Sequence, residues 1–293
     1  METTVIGFSD NILRFLKINS SRTVTASGET DIGFSINDVS YFKKNKDDLL
    51  NVFHIKVGEL LKDSEFKDLN TGVIIESSQT FLITIPVDFT DNENSINSHL
   101  LWELSNYFPD TYKNYSVRFL KLRKFITGEN LYDVLMIAID KNKLNFIKSL
   151  CNGTGIKIKN IEIDQFASEK CISDNCKIKG TKILLAGFKK HRIDFSITEG
   201  NKIIYYNYGR TVRQNYLNVS AKLLNSLKTS ASAVSPDKIF IYGDSISEEL
   251  NSLLFNEFGK QNVNVLSPFD NQKEILNSSA FAPLFGLALK NLT

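Results

Sequence analysis

A chain of 293 residues, 42% apolar and 23% charged, is long enough for two or three small domains with real cores and has the make-up of an ordinary globular protein. Its net charge of +2 gives no push toward nucleic acid or an acidic surface. No apolar run approaches the roughly 20 residues of a membrane span, and METTVIGFSD lacks the parts of a signal peptide, so the expected location is cytoplasmic, with docking on a membrane complex left open.

The chain opens with a strand from Val5 to Phe8, a turn at Ser9-Asp10-Asn11 and a strand from Ile12 to Ile18; SSRTVTASGETDIGF reads as further strand and turn. Helical spacing of Leu49, Phe53, Val57 and Leu60/Leu61 predicts a helix from about Asp47 to Leu61. Gly72 to Glu76 and Phe81 to Val87 read as strands joined by Ser77-Ser78-Gln79, and Pro86 puts the second at a sheet edge.

The next unit starts with a helix over Asn92 to Phe108, with Ile96, Leu100, Leu104 and Tyr107/Phe108 on its apolar stripe and Pro109 as its stop. Strands follow at Ser116 to Leu122 and Tyr132 to Ile139. Asp140 can cap a helix carrying Leu144, Ile147 and Leu150; Gly153 and Gly155 end it, and Ile156 to Ile163 is a last strand. The unit reads as a compact α+β module.

Gln165 to Cys171 reads as a short linking helix. Three strands come next. Ile183 to Leu185 is continuously apolar; Ile193, Phe195 and Ile197 alternate with Arg192, Asp194 and Ser196, the period of a half-buried strand. Glu199-Gly200-Asn201 turns the chain into Lys202 to Tyr208. This hairpin repeats the opening one, and the twofold recurrence suggests a duplicated α/β architecture. A helix from Arg213 to Leu227, a strand from Lys238 to Tyr242, a helix from Ser247 to Phe258 and a strand from Asn262 to Leu266 complete the second half. Ser245 and Glu248 have capping-box spacing before that second helix. SSAFAPLFGLALKNL reads as a final helix whose small residues Ala280, Ala282, Gly286 and Ala288 allow close approach to a sheet.

The catalytic vocabulary is poor. GxxxxGK[ST], a GxGxxG after a strand, GxSxG and HExxH are all missing. Cys171 and Cys176 offer half a zinc site without the other half, so they and Cys151 read as free thiols, and His54, His99 and His191 read as solvent-facing. Ser9-Asp10-Asn11 offers backbone N–H groups to a phosphate, though a plain hairpin turn is the better reading. Lys189, Lys190, His191 and Arg192 form a basic run beside Gly187 that reads as a solvated turn. Gly243-Asp244 ends a strand before a capped helix, where α/β sheets place ligands. No catalytic residue or metal ligand is assigned.

The order of these pieces carries a resemblance. GVIIESSQTFLITIP followed by INSHLLWELSNYFPD resembles the middle of PilM, the actin-like protein of type IV pilus assembly; Glu103, Tyr107, Phe108 and Pro109 fall where that family places such residues. YDVLMIAIDKNKLNFIKSLCNGTGIKIKNIEIDQFA continues the match, IFIYGDSISEELNSLL is similar to the family's adenosine segment, and FAPLFGLALK to its closing helix. The resemblance implies an α/β, actin-like fold of the duplicated ribonuclease H-like kind, with an inserted SHS2-like α+β module. It places the first subdomain at 1–87 with a return helix at 276–293, the module at 88–163, and the second subdomain at 164–275. That last part lacks most of its usual insertion, since Gly209 to Pro236 holds one helix.

The nucleotide motifs depart from the superfamily pattern, in which both phosphate turns carry an aspartate and a glycine. Gly7 stands about where the first aspartate is expected, Arg14 where PilM often has lysine, and Asp10 is a displaced substitute. Ala186-Gly187 replaces the second acidic pair; Gly243 alone survives from a glycine cluster, and Asp244 adds negative charge there. Ser9, Asp10, Arg14, Gly187, Gly243 and Asp244 are thus vestiges of a nucleotide site, and loss of ATP hydrolysis and of ATP binding is expected. What the resemblance then implies is a cofactor-free, non-catalytic scaffold peripheral to an inner-membrane pilus or secretion-type complex, similar to PilM or to the cytoplasmic part of GspL. It would take the cytoplasmic tail of a membrane partner, with an apolar groove beside the Asn92–Phe108 helix as the feature to seek. FtsA-like proteins share the inserted module but end in a membrane-binding amphipathic helix, which Lys290-Asn291-Leu292-Thr293 does not supply. Self-association is open to this fold, with no residue arguing for it. Two alternatives stand beside this reading: an active Mg-ATP-dependent ATPase or small-molecule kinase using Asp10, Asp194 or Asp244 in displaced roles, and an unrelated α/β domain with the same strand order.

Overall fold

A computed structural model describes residues 2–60, 70–90, 92–124, 130–172, 180–211, 215–229, 235–268 and 278–292. In chain order the first lobe brings β1 (Thr3–Ser9), β2 (Ile12–Ile18), β3 (Val24–Asp31), α1 (Val39–Leu60) and β4 (Asn70–Ile75). A small unit follows with β5 (Phe81–Asp88), α2 (Glu93–Tyr107), β6 (Tyr115–Lys124) and β7 (Leu131–Asp140), and α3 (Lys141–Gly153) returns to the first lobe. Then come β8 (Lys157–Ile163) and the short α4 (Asp164–Ser168). The second lobe has β9 (Lys182–Lys189), β10 (Arg192–Glu199), β11 (Lys202–Arg210), α5 (Tyr216–Thr229), β12 (Lys238–Gly243), α6 (Glu248–Phe258) and β13 (Val263–Val265), and α7 (Ala282–Leu292) closes the chain.

The two large sheets share one design. The first has the order β3-β2-β1-β4-β8 and the second β11-β10-β9-β12-β13. In each, the first three strands form an antiparallel meander and the last two run parallel to the meander's first strand. The duplication expected from two similar hairpins therefore extends strand for strand. Residues with side chains on both faces of β1, such as Val5, Ile6 and Phe8, are all buried, as a central strand covered on two sides requires.

Two strands sit in other sheets than their sequence neighbours suggest. β5 pairs with β7 in a separate sheet of order β5-β7-β6, and β8 pairs with β4 in the first sheet. The 3₁₀ turn Ser77–Gln79 is what leads the chain out of the first sheet. Pro86 lies on β5, an edge strand, where its missing N–H leaves no gap in a ladder. α2 covers one face of this sheet with Ile96, Leu100 and Leu104; its Asn92 cap accepts from the Ser95 N–H, and Tyr107 is half exposed, off the stripe. α3, capped by Asp140 as expected, sends Phe146, Ile147 and Leu150 into the core of the first lobe beside Phe42 and Phe53 of α1.

Smaller corrections have local causes. α1 begins at Val39, before the expected Asp47, because a kink at Asn45 (φ −126°, ψ 30°) breaks the periodicity there; Leu61 lies outside the described residues, as does Arg213 at the expected start of α5. The cap of α6 is Ser247, which accepts from the Leu250 N–H; Ser245 bonds Asp244 and Tyr216 instead, since the helix starts only at Glu248. In α7 the glycine serves a helix contact and not the sheet: a Cβ on Gly286 would lie 1.9 Å from the Ala167 carbonyl oxygen in α4. Over the sheet the small residues are on the strands, with Leu284 against Gly7 and Leu287 against Gly72.

Candidate functional site

The C-terminal ends of β1, β4 and β8 meet those of β9 and β12 between the lobes, the place where α/β sheets receive ligands. The ladders fix which residues correspond. Gly7 pairs with Arg14 and Gly187 with Asp194; Phe8 pairs with Ile75 and Phe188 with Gly243. VIGFSDNILRF thus aligns in register with LAGFKKHRIDF, so Ser9 matches Lys189, Arg14 matches Asp194 and Glu76 matches Asp244.

The basic run at the second tip is not a solvated turn. Lys190 and His191 are exposed, but Lys189 and Arg192 are buried to 3%. The alternation on β10 has a different meaning too, since both of its faces are buried. One face carries Ile193, Phe195 and Ile197 into the core of the second lobe. The polar face turns toward the Ser77–Gln79 turn and α4, both attached to the first sheet.

Asp194 is the hub. Its carboxylate accepts from Lys189 Nζ at 2.6 Å, Ser77 Oγ at 2.6 Å and Arg192 Nε at 2.8 Å, and from the Tyr206 hydroxyl. Lys189 Nζ also lies 3.0 Å from Asp164 Oδ2 and 2.7 Å from Ser77 Oγ. Arg192 donates to the Ser77 carbonyl at 3.1 Å, and the Ser77 N–H donates to Asp164 at 2.9 Å. Next door, Gln165 donates to the Leu185 carbonyl and to Ser196, and receives the Tyr242 hydroxyl at 2.9 Å. Buried charge is tolerated here because Lys189, Arg192, Asp164 and Asp194 each face an opposite charge and are hydrogen-bonded within the network.

Burial alone would raise the Asp194 carboxyl, but Arg192 and Lys189 outweigh it and hold the group below the usual carboxylate range. Burial likewise works against the Lys189 ammonium, and Asp164 and Asp194 overcome it, leaving the group above the usual lysine range. At Glu76 the help from Lys189 and from the Ser9 hydroxyl is too small to offset burial. Burial first, then the neighbouring Asp164, push its carboxyl up to about 7.

Ser9, Arg14, Gly243 and Asp244 line a cavity of about 40 Å³ together with Glu76, Asp164 and Lys189. Ser9 donates to Glu76 at 3.1 Å; Arg14 pairs with Glu29 at 2.9 Å and with Asp244 of the other lobe at 3.4 Å. Asp10 stands at the hairpin tip with φ +52°, bonded to Ser35 and 3.6 Å from Lys190. Gly187 is packed shut, since a Cβ there would lie 2.7 Å from Gln165 Oε1 and from Tyr242. Of the central members of the network, Ser77 and Asp164 are not among the residues singled out from sequence, and Lys189 is read there only as part of a solvated basic turn. Their signal is the register between the two hairpins, 180 positions apart, which sets Lys189 beside the cleft.

Among the described residues no group of three or more His, Cys, Asp or Glu is arranged to hold a metal. Cys171 donates its thiol to the Ala282 carbonyl at 2.8 Å, burial pushes the Cys151 thiol up to about 12, and Cys176 lies outside the described residues. Among those residues no helix is long and apolar enough to cross a membrane.

No family model matches the chain, and no curated protein matches it in sequence. Solved structures do match its fold. A structure described as the PilM-PilN type IV pilus biogenesis complex is similar at 14% identity and a TM-score of 0.74, over 100% of this chain and 99% of that one. A Bacteroides thetaiotaomicron protein of actin-like ATPase fold and unknown function is similar at 17% identity and a TM-score of 0.55, over 92% of each chain. The cytoplasmic domain of EpsL, an inner-membrane component of the type II secretion system of Vibrio cholerae, is similar at 11% identity and a TM-score of 0.53, over 99% of this chain and 95% of that one. The chain has the actin-like fold.

Proposed function

We propose that this chain is a non-catalytic actin-like scaffold of a pilus or secretion-type membrane assembly, working on the cytoplasmic side and holding the cytoplasmic tail of a membrane partner. The observation that carries its non-catalytic character is the Lys189 bridge. The ammonium joins the second hairpin to the Ser77 turn and α4 of the first lobe, bonded to Asp194, Asp164 and Ser77. The residues of the cleft do not fit a metal-bound triphosphate. The cavity of about 40 Å³ is far below the several hundred Å³ of ordinary ligand pockets. Gly7 and Gly187 bring no carboxylate to the tips, and Asp194, opposite Gly187, is committed to four donors. Arg14 is shared between Glu29 and Asp244, so no cation lining the cavity waits for a phosphate.

The partner half of the reading is supported by the fold's likeness to the PilM-PilN complex and to the cytoplasmic domain of an inner-membrane secretion component. Calorimetry and thermal denaturation with Mg-ATP test the first half. Neither heat nor a shift in melting is expected. A ligand at a hundred times its dissociation constant would stabilise the fold by about 2.7 kcal/mol, so saturable magnesium-dependent binding would be plain and would put an ATPase or small-molecule kinase first. Titration with labelled cytoplasmic tails of single-span membrane proteins tests the second half; failure of every tail to bind would remove the docking role.

A further inference from the structure

Helix α2 covers its sheet with one face and leaves another open. Leu101 and Trp102 are exposed, Trp102 to 58%. Beside them runs the first half of β6, the edge strand of the β5-β7-β6 sheet, in which no residue from 115 to 119 is buried, whereas Leu120 and Leu122 of its second half pack with Tyr206 and Tyr208 of β11. Between helix and strand edge lies a groove of about 690 Å³, with Tyr115 on the strand side. Lys113, Arg118 and Lys141 ring it, and none of its lining residues is a carboxylate.

These three cations are short of anionic partners. Lys141 donates to the Lys113 carbonyl at 2.8 Å, Arg118 to the Val117 carbonyl at 3.3 Å, and Lys113 lies 5.7 Å from the Tyr112 ring. Among the described residues none of them meets a carboxylate. Farther along the same strand the cations are occupied. Lys121 is held over the rings of Phe89 and Tyr132 at 3.9 and 3.5 Å, and Arg123 pairs with Asp133 at 2.9 Å. Unpaired positive charge, exposed apolar side chains and an open strand edge thus coincide at one place.

We propose that this groove docks an extended acidic segment of a partner protein. The segment adds a strand to the open edge of β6, sets an aliphatic or aromatic side chain against Leu101 and Trp102, and brings carboxylates to Lys113, Arg118 and Lys141. This rests on the docking role proposed above and gives that partner its chemistry. A second copy of the chain is a poor occupant, because β6 against β6 would set Arg118 and Lys121 against like charges.

Trp102 is the single tryptophan of the chain and reports directly on the groove. The probe is a labelled synthetic peptide of about ten residues alternating Glu or Asp with Leu or Phe, long enough to follow one strand. Three controls go with it: the same peptide with Lys for its acids, the same peptide N-methylated on alternate backbone nitrogens, and the double variant Lys113→Glu/Arg118→Glu, whose fold is checked by its melting curve. The acidic peptide is expected to bind saturably, to shift Trp102 emission to the blue, and to weaken with added salt. The charge reversal should cost about tenfold or more in affinity, and N-methylation should abolish binding. Equal binding of the basic peptide, or unchanged affinity in the charge-reversed variant, overturns the proposal, as does a concentration-dependent dimer with Trp102 buried in it. A membrane-protein tail that binds the charge-reversed variant as well as the parent would leave the docking role standing and remove this groove. Peptide binding with no tail found would do the opposite.

Discussion

Ser9 and Lys189 hold the same place in the two halves of the molecule, two residues beyond a glycine on the first strand of each sheet, yet only Lys189 bridges the lobes. Ser9 bonds Glu76, which follows β4 of its own sheet; Lys189 reaches Asp164 and Ser77, which follow β8 and β4 of the other sheet. One duplicated hairpin thus ends in an ordinary hydroxyl contact and the other in a buried ion that fills the space between the lobes. At the strand ends, where α/β sheets receive ligands, the two lobes are thus joined by buried ion pairs.

Lys189→Met tests the joint. Removing the cation leaves Asp194 and Asp164 buried beside each other with one fewer counter-charge, so the variant is expected to lose about 3–5 kcal/mol of stability at neutral pH, measured by urea denaturation. Lys189→Met combined with Asp164→Asn should lose less than the sum of the two single changes, because the second removes a charge the first left unpaired. A loss under about 1 kcal/mol in the single variant would mean the joint is not what holds the lobes.

Asp194 gives the acid side of the pH profile. Its carboxyl is held below the usual range in the folded chain, so its contribution is fully present above the ordinary carboxylate pKa. That contribution is lost as pH falls toward the folded-state value. Asp194→Asn is expected to be less stable at pH 7 and to show a flatter fall in stability below about pH 4. Circular dichroism melts from neutral to strongly acidic pH distinguish the two curves; equal slopes would contradict this assignment.

The elements were legible because their periods were clean. The β1–β2 hairpin, α2 with Ile96, Leu100 and Leu104, and α3 with its Asp140 cap follow from local sequence alone. Sheet membership did not, because nothing in the apolar β5 or in the alternating β8 marks which sheet it joins, and β5 leaves the first sheet only through the Ser77–Gln79 turn. The joint was hidden for a related reason. Alternation on β10 shows two kinds of face but not what covers them, and Arg192, Asp194 and Ser196 read as solvent-facing until the first lobe is packed against them. Cleft residues read from motif positions fared unevenly in placement: Ser9, Arg14, Gly243 and Asp244 line the cavity, whereas Gly187 is sealed beneath Tyr242.

Gly243 is a packing glycine. Its φ is +124°, and an added Cβ would lie 2.0 Å from the Phe188 carbonyl oxygen. Gly200, at φ +61° in the β10–β11 turn, has nothing within 4 Å of such a Cβ. Gly200→Ala is therefore expected to cost about 1 kcal/mol, for its backbone alone, and Gly243→Ala roughly 3 kcal/mol or more, since backbone must move in β9. Urea midpoints of the two variants settle the order, and a reversed order would mean that β9 and β12 can separate freely.

Glu76 should run opposite to Asp194. Burial, reinforced by Asp164, lifts its carboxyl to about 7 from an ordinary 4.5. Between those values the folded chain keeps a proton that the unfolded chain has released. Its favourable contribution is therefore fully present below about pH 4.5 and is lost as pH rises to about 7, amounting to about 3 kcal/mol. Glu76→Gln keeps an acceptor for the Ser9 hydroxyl and has no proton to lose. The variant is expected to match the parent near pH 4 and to exceed it in stability at pH 8, with the urea midpoints separating across the interval between. Parallel curves at all pH values would mean that Lys189, which also faces this carboxyl, keeps Glu76 ionised throughout, and the joint would then hold one more negative charge than these directions assign to it.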